Sequence, residues 1–519
     1  MIFSKKHLFF MFILLFLLNI ILRLPTTPHE IGWDSFAIHT TANTVSEFGS
    51  AKWWLNLSSV FGFYPYSYAS AVPFLLSGIS QLALMEMELT ILIFCILIGI
   101  LSALTAYLMA NSIFEDQLFA FIVAFLYSTS SGILYFTTWT VSTRGLFIVL
   151  LPLFYYLLLK SRQSVKYMFL LVPLYIFLMA VHKLFFFLAI PVIALLLSGL
   201  IFKARIVDYI EDVHPRFQLL LVVAAFSLML ILPLFVPGFI GSGPLSELIT
   251  TQILEYLRFI GILIVLFVVS LLYLIMKKKK TFGEWFILIS LIGFTPFFYV
   301  ANYGKWFFLS LAFIMIGIGL MNIIYIFLKR SDKSLFVVLS VIIISGLLFS
   351  SYFQFINYLE NTDDRYMDEE TYQVSSWMKG SINNNESAFA GERFFGIRVL
   401  SIAEVPMLSG QGFNDISYGF VDPDSLEITR VHSVFSPSFY LYDPYKEANS
   451  SSSWKLWAIQ TTSFTTPNSY AQRIIKHYGF TYFVDNLRYP NTFSRSIQAT
   501  ESKLYDSGSI NVWMLSELP

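Results

Sequence analysis

The chain has 519 residues, of which 56% are hydrophobic and 13% are charged, against roughly 25% charged residues in ordinary soluble domains. This composition predicts a polytopic α-helical membrane protein and excludes a chain that is soluble throughout. Its 33 basic and 33 acidic side chains give a net charge of zero, which gives no support to a nucleic-acid partner, and the single cysteine, Cys95, excludes an intrachain disulfide and a thiolate metal cluster.

Apolar runs recur along the first two thirds of the chain at the lengths that bilayer-spanning helices require. The first run is long and is followed by no small-residue cleavage site, which favours a membrane anchor over a signal peptide. The fifth and sixth runs are short and are also compatible with one re-entrant hairpin. We predict about eleven transmembrane helices, at residues 7–23, 91–110, 118–136, 145–160, 167–182, 184–202, 217–236, 257–276, 282–300, 306–328 and 334–352.

The distribution of lysine and arginine predicts the orientation of these spans. With the N terminus inside, basic clusters such as Lys277 to Lys280 fall in cytoplasmic segments, and the outer segments carry isolated cations. The sequons at Asn56, Asn385 and Asn449 all fall in segments assigned to the outside. The chain is therefore predicted to be a multi-pass protein of the cell membrane.

Two outer loops are predicted to form helices that lie on the membrane surface. The long first outer loop, residues 24–90, carries apolar and aromatic residues at helical spacing, with a break near Pro65. It is too polar to span and too apolar for a free loop, which favours a pair of interfacial helices. The loop 237–256 begins with glycine and proline and ends in an amphipathic pattern.

The last third of the chain differs in character from the predicted membrane part. Residues 353–519 alternate turn-rich polar stretches with short apolar strands such as YFVDN at 482–486 and INVWML at 510–515. An odd number of spans leaves this region outside. We therefore predict two domains, a transmembrane domain at 1–352 and an extracytoplasmic mixed α/β domain at 353–519.

The first outer loop also carries the motif with the most functional content. Its stretch IGWDSFAIHTTANTVSEFGSAKWW, followed by YPYSYASAVPFLLSG, resembles the first outer loop of the GT-C superfamily of membrane glycosyltransferases. Many spans followed by an outer C-terminal domain resemble its oligosaccharyltransferase-like branch. The resemblance implies a GT-C-like fold, a sugar donor linked to a polyprenyl or dolichyl phosphate, and a catalytic aspartate at Asp34.

The sequence departs from the oligosaccharyltransferase pattern in two places. That enzyme carries a WWDYG motif in its outer domain, whereas the nearest string here is SSWMKG at 375–380, without the aspartate and tyrosine. It also has metal ligands in the second outer loop, whereas FTTWTVSTRG at 136–145 contains no acidic pair. Recognition of a sequon as the acceptor is therefore not predicted.

Sugar transfer from a lipid phosphate needs a base at the acceptor hydroxyl and a cation at the departing phosphate. Asp34 is predicted to be the base, and its alternative role is a helix N-cap. Arg144 and the His182–Lys183 pair are candidates for binding phosphate, although such cations also extend to the interface as purely structural residues. The predicted substrate-binding residues are Trp33, His39, Arg144, His182, Lys183, Arg258 and Lys305.

A divalent metal, Mg or Mn, is a candidate cofactor that no motif demonstrates, with Asp34 and His182 as its candidate ligands. The predicted partners are the lipid-linked sugar donor, a glycan or protein acceptor and membrane lipids. Two other classes of function stay open, a membrane transporter and a component of surface-polysaccharide assembly such as a flippase. A transporter is disfavoured because the sequence shows no repeated pattern of Gly/Pro-broken helices.

Overall fold

The structure is a computed structural model. It describes residues 5–203, 215–236, 245–300, 303–328, 366–383, 386–408, 410–442, 444–452, 475–489 and 501–515, with isolated residues and short runs between 334 and 352. The sequon at Asn385 and much of the eleventh predicted span therefore lie outside the described residues.

The described part of residues 5–328 is built from helices. The first ten are α1 Lys5–Ile21, α2 Trp33–Phe48, α3 Leu57–Val60, α4 Ala71–Ala83, α5 Met87–Phe114, α6 Gln117–Ser128, α7 Ser131–Leu134, α8 Thr143–Ser161, α9 Lys166–Val181 and α10 Ala189–Lys203. The later helices of this part are Pro215–Ile231, Leu245–Ile260, Ile264–Met276, Phe282–Phe294 and Gly304–Leu328.

Several of these helices are long and apolar enough to cross a membrane. Among the described residues, five qualify, at Met87–Phe114, Thr143–Ser161, Lys183–Lys203, Phe282–Tyr299 and Gly304–Tyr325. Other predicted spans correspond to shorter apolar helices, since α1 has 17 residues, α6 has 12 and α9 has 16. The chain is thus a multi-pass helical protein, and the predicted number of about eleven spans is not confirmed.

Two breaks explain why the helices differ from the predicted spans. His182 has extended backbone angles, φ −161° and ψ 144°, which end α9 and start a short 3-10 helix, Lys183–Leu188. Gly261 has a φ of +84° and follows the helix Leu245–Ile260. At that break the axis turns by 101° into the next helix, so residues 257–276, the eighth predicted span, do not form one straight helix.

The first outer loop contains the predicted pair of helices, because α2 and α4 pack against each other. A polar residue starts the short α3 between them, where Asn56 accepts a hydrogen bond from the Ser59 amide. Trp53 is fully buried beside these helices and packs with Val45 and Phe413. The loop is therefore a compact layer at one end of the helical bundle.

The C-terminal region is a mixed α/β unit, as predicted. Its strands are β1 Ser387–Ala390, β2 Met407–Leu408, β3 Leu426–Val431, β4 Tyr445–Ser450, β5 Phe480–Asn486, β6 Ser502–Asp506 and β7 Ile510–Met514. Five of them form a sheet in the order β2-β1-β5-β7-β6, parallel from β2 to β5 and antiparallel beyond. The predicted strands at 482–486 and 510–515 are the central β5 and β7, and β3 pairs with β4 as a separate ribbon.

Apolar residues from two helices cover one face of this sheet. The helices Glu369–Ser381 and Arg393–Ala403 pack on each other. The cluster they form with the sheet is buried and contains Val374, Met378, Phe395, Val399, Leu400, Val484 and Val512.

The C-terminal unit is fixed to the first outer loop. The helix Arg393–Ala403 packs on α2, and the Asn43 side chain donates a hydrogen bond to the Ser401 carbonyl at 3.0 Å. Phe394 contacts Trp33 edge to face, with ring centroids 5.4 Å apart. These contacts set the position of α2, whose first turn carries Asp34.

A histidine forms a second bridge between the two regions. His29 contacts Glu88 through Nδ1 at 3.1 Å and Glu369 through Nε2 at 3.2 Å, and it stacks on Tyr372. Burial lowers the pKa of His29, but hydrogen bonds and charge from the two glutamates outweigh this effect and raise it. The resulting stabilisation is fully present below the ordinary histidine pKa and is lost as the pH rises through the raised value.

Candidate active site

Asp34 lies in the first turn of α2, but its side chain does not cap the helix. The N-cap residue is Gly32, and no side chain makes a capping hydrogen bond there. Oδ2 of Asp34 instead accepts a hydrogen bond from Nη2 of Arg144 at 2.6 Å. The alternative role of Asp34 as an N-cap is therefore wrong, and its carboxylate is engaged with a residue 110 positions away.

Backbone contacts bring the first turns of α2 and α8 together. The Ile31 amide donates to the Trp139 carbonyl at 3.2 Å, and the Val141 amide donates to Ser35 Oγ at 3.0 Å. Gly32 has a φ of +100°, and a Cβ at this position would lie 2.4 Å from Thr140 Oγ1. Only glycine suits both the backbone conformation and the close approach. The segment that precedes α8 thus lies directly against the start of α2.

A buried acid–histidine pair supports this arrangement. Nδ1 of His39 lies 2.6 Å from Glu30 Oε1, and the two side chains are 3% and 0% exposed. Ser35 Oγ donates to the other oxygen of Glu30 at 3.3 Å. Burial opposes protonation of His39, but the charge of Glu30 favours it, and the pKa of His39 is raised. His39 thus supports α2 from the interior, and its predicted contact with substrate stays a prediction.

The two predicted phosphate-binding cations lie near the same aromatic ring. The Arg144 guanidinium is 5.9 Å from the ring centroid of Tyr303, and Nζ of Lys183 is also 5.9 Å from it. The Arg144 side chain is 27% exposed and Asp34 is 39% exposed, so both are accessible to a ligand. Sequence reasoning overlooked Tyr303, although it stands in the same VANYGKWFF stretch that drew attention to Lys305.

His182 joins this group as a buried neighbour. Its ring centroid is 6.1 Å from that of Tyr303, and its Nδ1 accepts the Leu184 amide hydrogen bond at 3.1 Å. It lies within electrostatic reach of Arg144 and Lys183. His182 therefore shapes the start of the 3-10 helix that presents Lys183.

Arg258 and Lys305 occupy a neighbouring position with an acidic partner. Lys305 forms an ion pair with Glu255, and Nη1 of Arg258 lies 4.0 Å from the same carboxylate. Nζ of Lys305 also lies over the rings of Phe259 and Trp306, at 4.4 and 5.0 Å. Because Glu255 offsets their charge, these two cations are less suited to binding phosphate than Arg144 and Lys183.

Trp33 points toward the C-terminal unit. In addition to Phe394, the Arg393 guanidinium lies 5.6 Å from its ring centroid. Its indole N–H is buried and has no hydrogen-bond partner among the described residues. The ring thus fixes the C-terminal unit, and its predicted contact with substrate stays a prediction.

Two further tyrosines complete the wall of the site. The hydroxyl of Tyr68 lies beside Thr143, and burial together with the nearby charge of Asp34 raises the pKa of Tyr68. Tyr68 therefore stays protonated and can donate a hydrogen bond. Tyr442, from the C-terminal unit, lies with its ring centroid 6.2 Å from that of Tyr303. All three structural regions, the first outer loop, the helical bundle and the C-terminal unit, contribute to the site.

The residues around Asp34 do not fit a divalent metal ion. Mg and Mn prefer several carboxylate or carbonyl oxygens. Within the described ranges there is no group of three or more His, Cys, Asp or Glu residues that could hold a metal. Asp34 already binds Arg144, and His182 already binds a backbone amide. The nearby charges of Arg144 and Lys183 would repel a second cation, so Asp34 and His182 are not suited as metal ligands.

No family model matches the sequence, and no curated protein matches it. Solved structures do resemble the fold. The oligosaccharyltransferase AglB of Archaeoglobus fulgidus, in complex with an inhibitory peptide and a dolichol-phosphate, matches with a TM-score of 0.55 at 13% identity, over 93% of this chain and 70% of that chain. The apo form of the oligosaccharyltransferase from the same organism matches over the same shares with a TM-score of 0.53 and 13% identity.

ArnT from Cupriavidus metallidurans matches over 99% of this chain and 98% of its own, with a TM-score of 0.45 and 14% identity. The match to AglB extends over both the helical bundle and the C-terminal unit, because it covers 93% of this chain. The chain therefore shares its fold with the oligosaccharyltransferase AglB, which agrees with the GT-C-like fold predicted from its first outer loop.

Proposed function

We propose that the chain is a glycosyltransferase that moves a sugar from a polyprenyl- or dolichyl-phosphate-linked donor to a glycan or protein acceptor at the extracytoplasmic face. The observation that carries this proposal is the ion pair of Asp34 and Arg144 at 2.6 Å, with Lys183 close to the same Tyr303 ring as Arg144. It places one accessible carboxylate beside two cations at one end of the helical bundle. The neighbour AglB binds a dolichol-phosphate in the same fold.

The chemistry assigned to these residues follows from their charges. Arg144 donates a hydrogen bond to Asp34 and lies beside the carboxylate that acts as general base. The acceptor oxygen forms a bond to the anomeric carbon as its proton passes to Asp34, and the bond from that carbon to the phosphate oxygen breaks. The electron pair of that bond leaves with the lipid phosphate, whose developing charge Arg144 and Lys183 stabilise.

The lipid phosphate provides a test that does not depend on the sugar, because every donor of this class releases the same kind of product. The purified full chain in lipid nanodiscs should be stabilised against thermal unfolding by polyprenyl phosphate and not by polyprenol of the same length. A ligand at 100 times its Kd contributes about 2.7 kcal/mol to the free energy of unfolding, which shifts the melting temperature measurably. Equal effects of the two lipids would contradict a site for lipid phosphate.

Transfer itself is measured with a labelled pool of lipid-linked sugars from the native membranes. In the presence of native acceptor, we expect the label to leave the lipid fraction. Polyprenyl phosphate should accumulate in an equal amount. Nucleotide sugars serve as the control and should not be consumed. Consumption of nucleotide sugar in place of lipid-linked sugar would contradict the proposed donor.

The proposed face of the membrane is tested by cysteine labelling. Glu447, exposed on β4, and Gln163, exposed after α8, are predicted to lie on opposite sides, and the native Cys95 is buried. In intact cells an impermeant maleimide should react with Glu447→Cys, and with Gln163→Cys only after permeabilisation. The reverse pattern would place Asp34 and the C-terminal unit in the cytoplasm and would contradict the extracytoplasmic site.

A further inference from the structure

The antiparallel ribbon of β3 and β4 carries an uncharged tip on charged strands. The ribbon tip, defined here as residues 431–442, reads VHSVFSPSFYLY and contains no Asp, Glu, Lys or Arg. The strands on either side carry Glu427, Arg430, Lys446 and Glu447, which are exposed. The ribbon thus has charged strands and an uncharged tip.

One side of the ribbon tip is fixed at the end of the helical bundle. The rings of Phe439 and Tyr440 lie 6.1 and 5.3 Å from that of Phe186. Phe186 belongs to the first turns of Lys183–Lys203, a segment long and apolar enough to span the membrane. The tip therefore lies at the level where this spanning segment ends.

The other side of the ribbon tip has no cover within the described residues. Phe435 is 91% exposed, Val431 58% and Val434 51%. Three exposed apolar side chains within five residues are unfavourable in water, whereas the membrane interface favours aromatic residues at this depth. The lack of charge matches such an environment, because charged side chains would resist entry.

We propose that the ribbon tip inserts Phe435, with Val431 and Val434, into the lipid headgroup region of the membrane leaflet next to the candidate active site. Lipid is favoured over a protein partner because the tip lies beside the end of a spanning segment, where lipid surrounds the bundle. Since the same ribbon positions Tyr442 against Tyr303, insertion couples the membrane surface to one wall of the site.

The test uses spin labels at single cysteines, because the native Cys95 is buried. Phe435→Cys and, as the matched control on the same ribbon, Glu427→Cys are labelled in the full chain reconstituted in phosphatidylcholine nanodiscs. Collisions with oxygen, which concentrates in lipid, are compared with those of a water-soluble nickel chelate. We expect oxygen to dominate at 435 and nickel to dominate at 427, and the unsubstituted chain gives the background.

Two results would overturn the proposal. Dominant nickel collisions at 435 would show that the tip stays in water, and protection from both reagents would show that protein covers it. A second labelled position controls for a local disturbance caused by the spin label at 435. With the label at Val434→Cys, adding Phe435→Asp should shift the collisions from oxygen to nickel, whereas Phe435→Leu should leave them unchanged. Phe435 is exposed, so neither Phe435→Asp nor Phe435→Leu should disturb the fold.

Discussion

Replacing Asp34 with asparagine should slow sugar transfer by about 100-fold or more, because the amide cannot take the proton of the acceptor hydroxyl. Folding should change little. The Asp34–Arg144 pair is partly exposed, and such pairs contribute about 1 kcal/mol or less to the free energy of unfolding. The N-cap of α2 is Gly32, so the helix keeps its capping residue in the variant. The rate of release of labelled sugar from the lipid pool, measured on equal amounts of folded protein, is the readout.

The control for this variant is Glu47→Gln, which removes an exposed carboxylate from the last turn of the same helix. It should transfer sugar at the wild-type rate. Binding of polyprenyl phosphate adds a second readout, because Asp34→Asn frees Arg144 for the phosphate. We expect binding that is retained or tighter alongside the lost transfer. Full transfer activity of Asp34→Asn would show that the carboxylate only positions Arg144 and is not the base.

The elements that sequence predicted well are those fixed by local pattern. Asp34 and Arg144 were recognisable as candidates because isolated charges at membrane edges are costly, and their role in transfer stays a prediction. The strands β5 and β7 follow from short apolar runs between turn residues, and the pairing of α2 with α4 follows from helical spacing. The local sequence pattern did not reveal that Asp34 and Arg144 bind each other. This contact depends on the close approach of Gly32 to Thr140.

The features that the sequence did not predict depend on tertiary partners. His39 resembles a ligand in the sequence, but it pairs with the buried Glu30 nine residues before it. Lys305 and Arg258 have the charge for phosphate, but Glu255 offsets it. Tyr303 carries no charge and stands in an aromatic-rich region, so nothing in the local sequence sets it apart. The helix bounds differ from the predicted spans because single residues such as His182 break apolar runs that appear continuous by hydropathy.

Removing either cation from the pair around Tyr303 should weaken binding of polyprenyl phosphate about tenfold to 100-fold, since hydrogen bonds to charged groups contribute about 1.5–3 kcal/mol. The variants are Arg144→Gln and Lys183→Gln, and the measurement is the Kd of the full chain in nanodiscs for polyprenyl phosphate, with polyprenol as the uncharged reference. Ser142 still caps α8 in the first variant. Weaker binding with an unchanged melting temperature of the unliganded variant identifies a lost phosphate contact, whereas a folding defect would lower that temperature.

Two controls separate this effect from a general loss of positive charge. Lys160→Gln removes a cation from the other end of α8, where the side chain contacts Gln163, and should leave the Kd unchanged. Lys305→Gln should have a smaller effect than Lys183→Gln, because Glu255 already offsets the charge of Lys305. If Arg144→Gln and Lys183→Gln both bind polyprenyl phosphate as the wild type does, these cations only extend to the membrane interface, as lysine and arginine commonly do. The departing phosphate would then need another partner, and Asp34 could still act as base without Arg144 taking part in the chemistry.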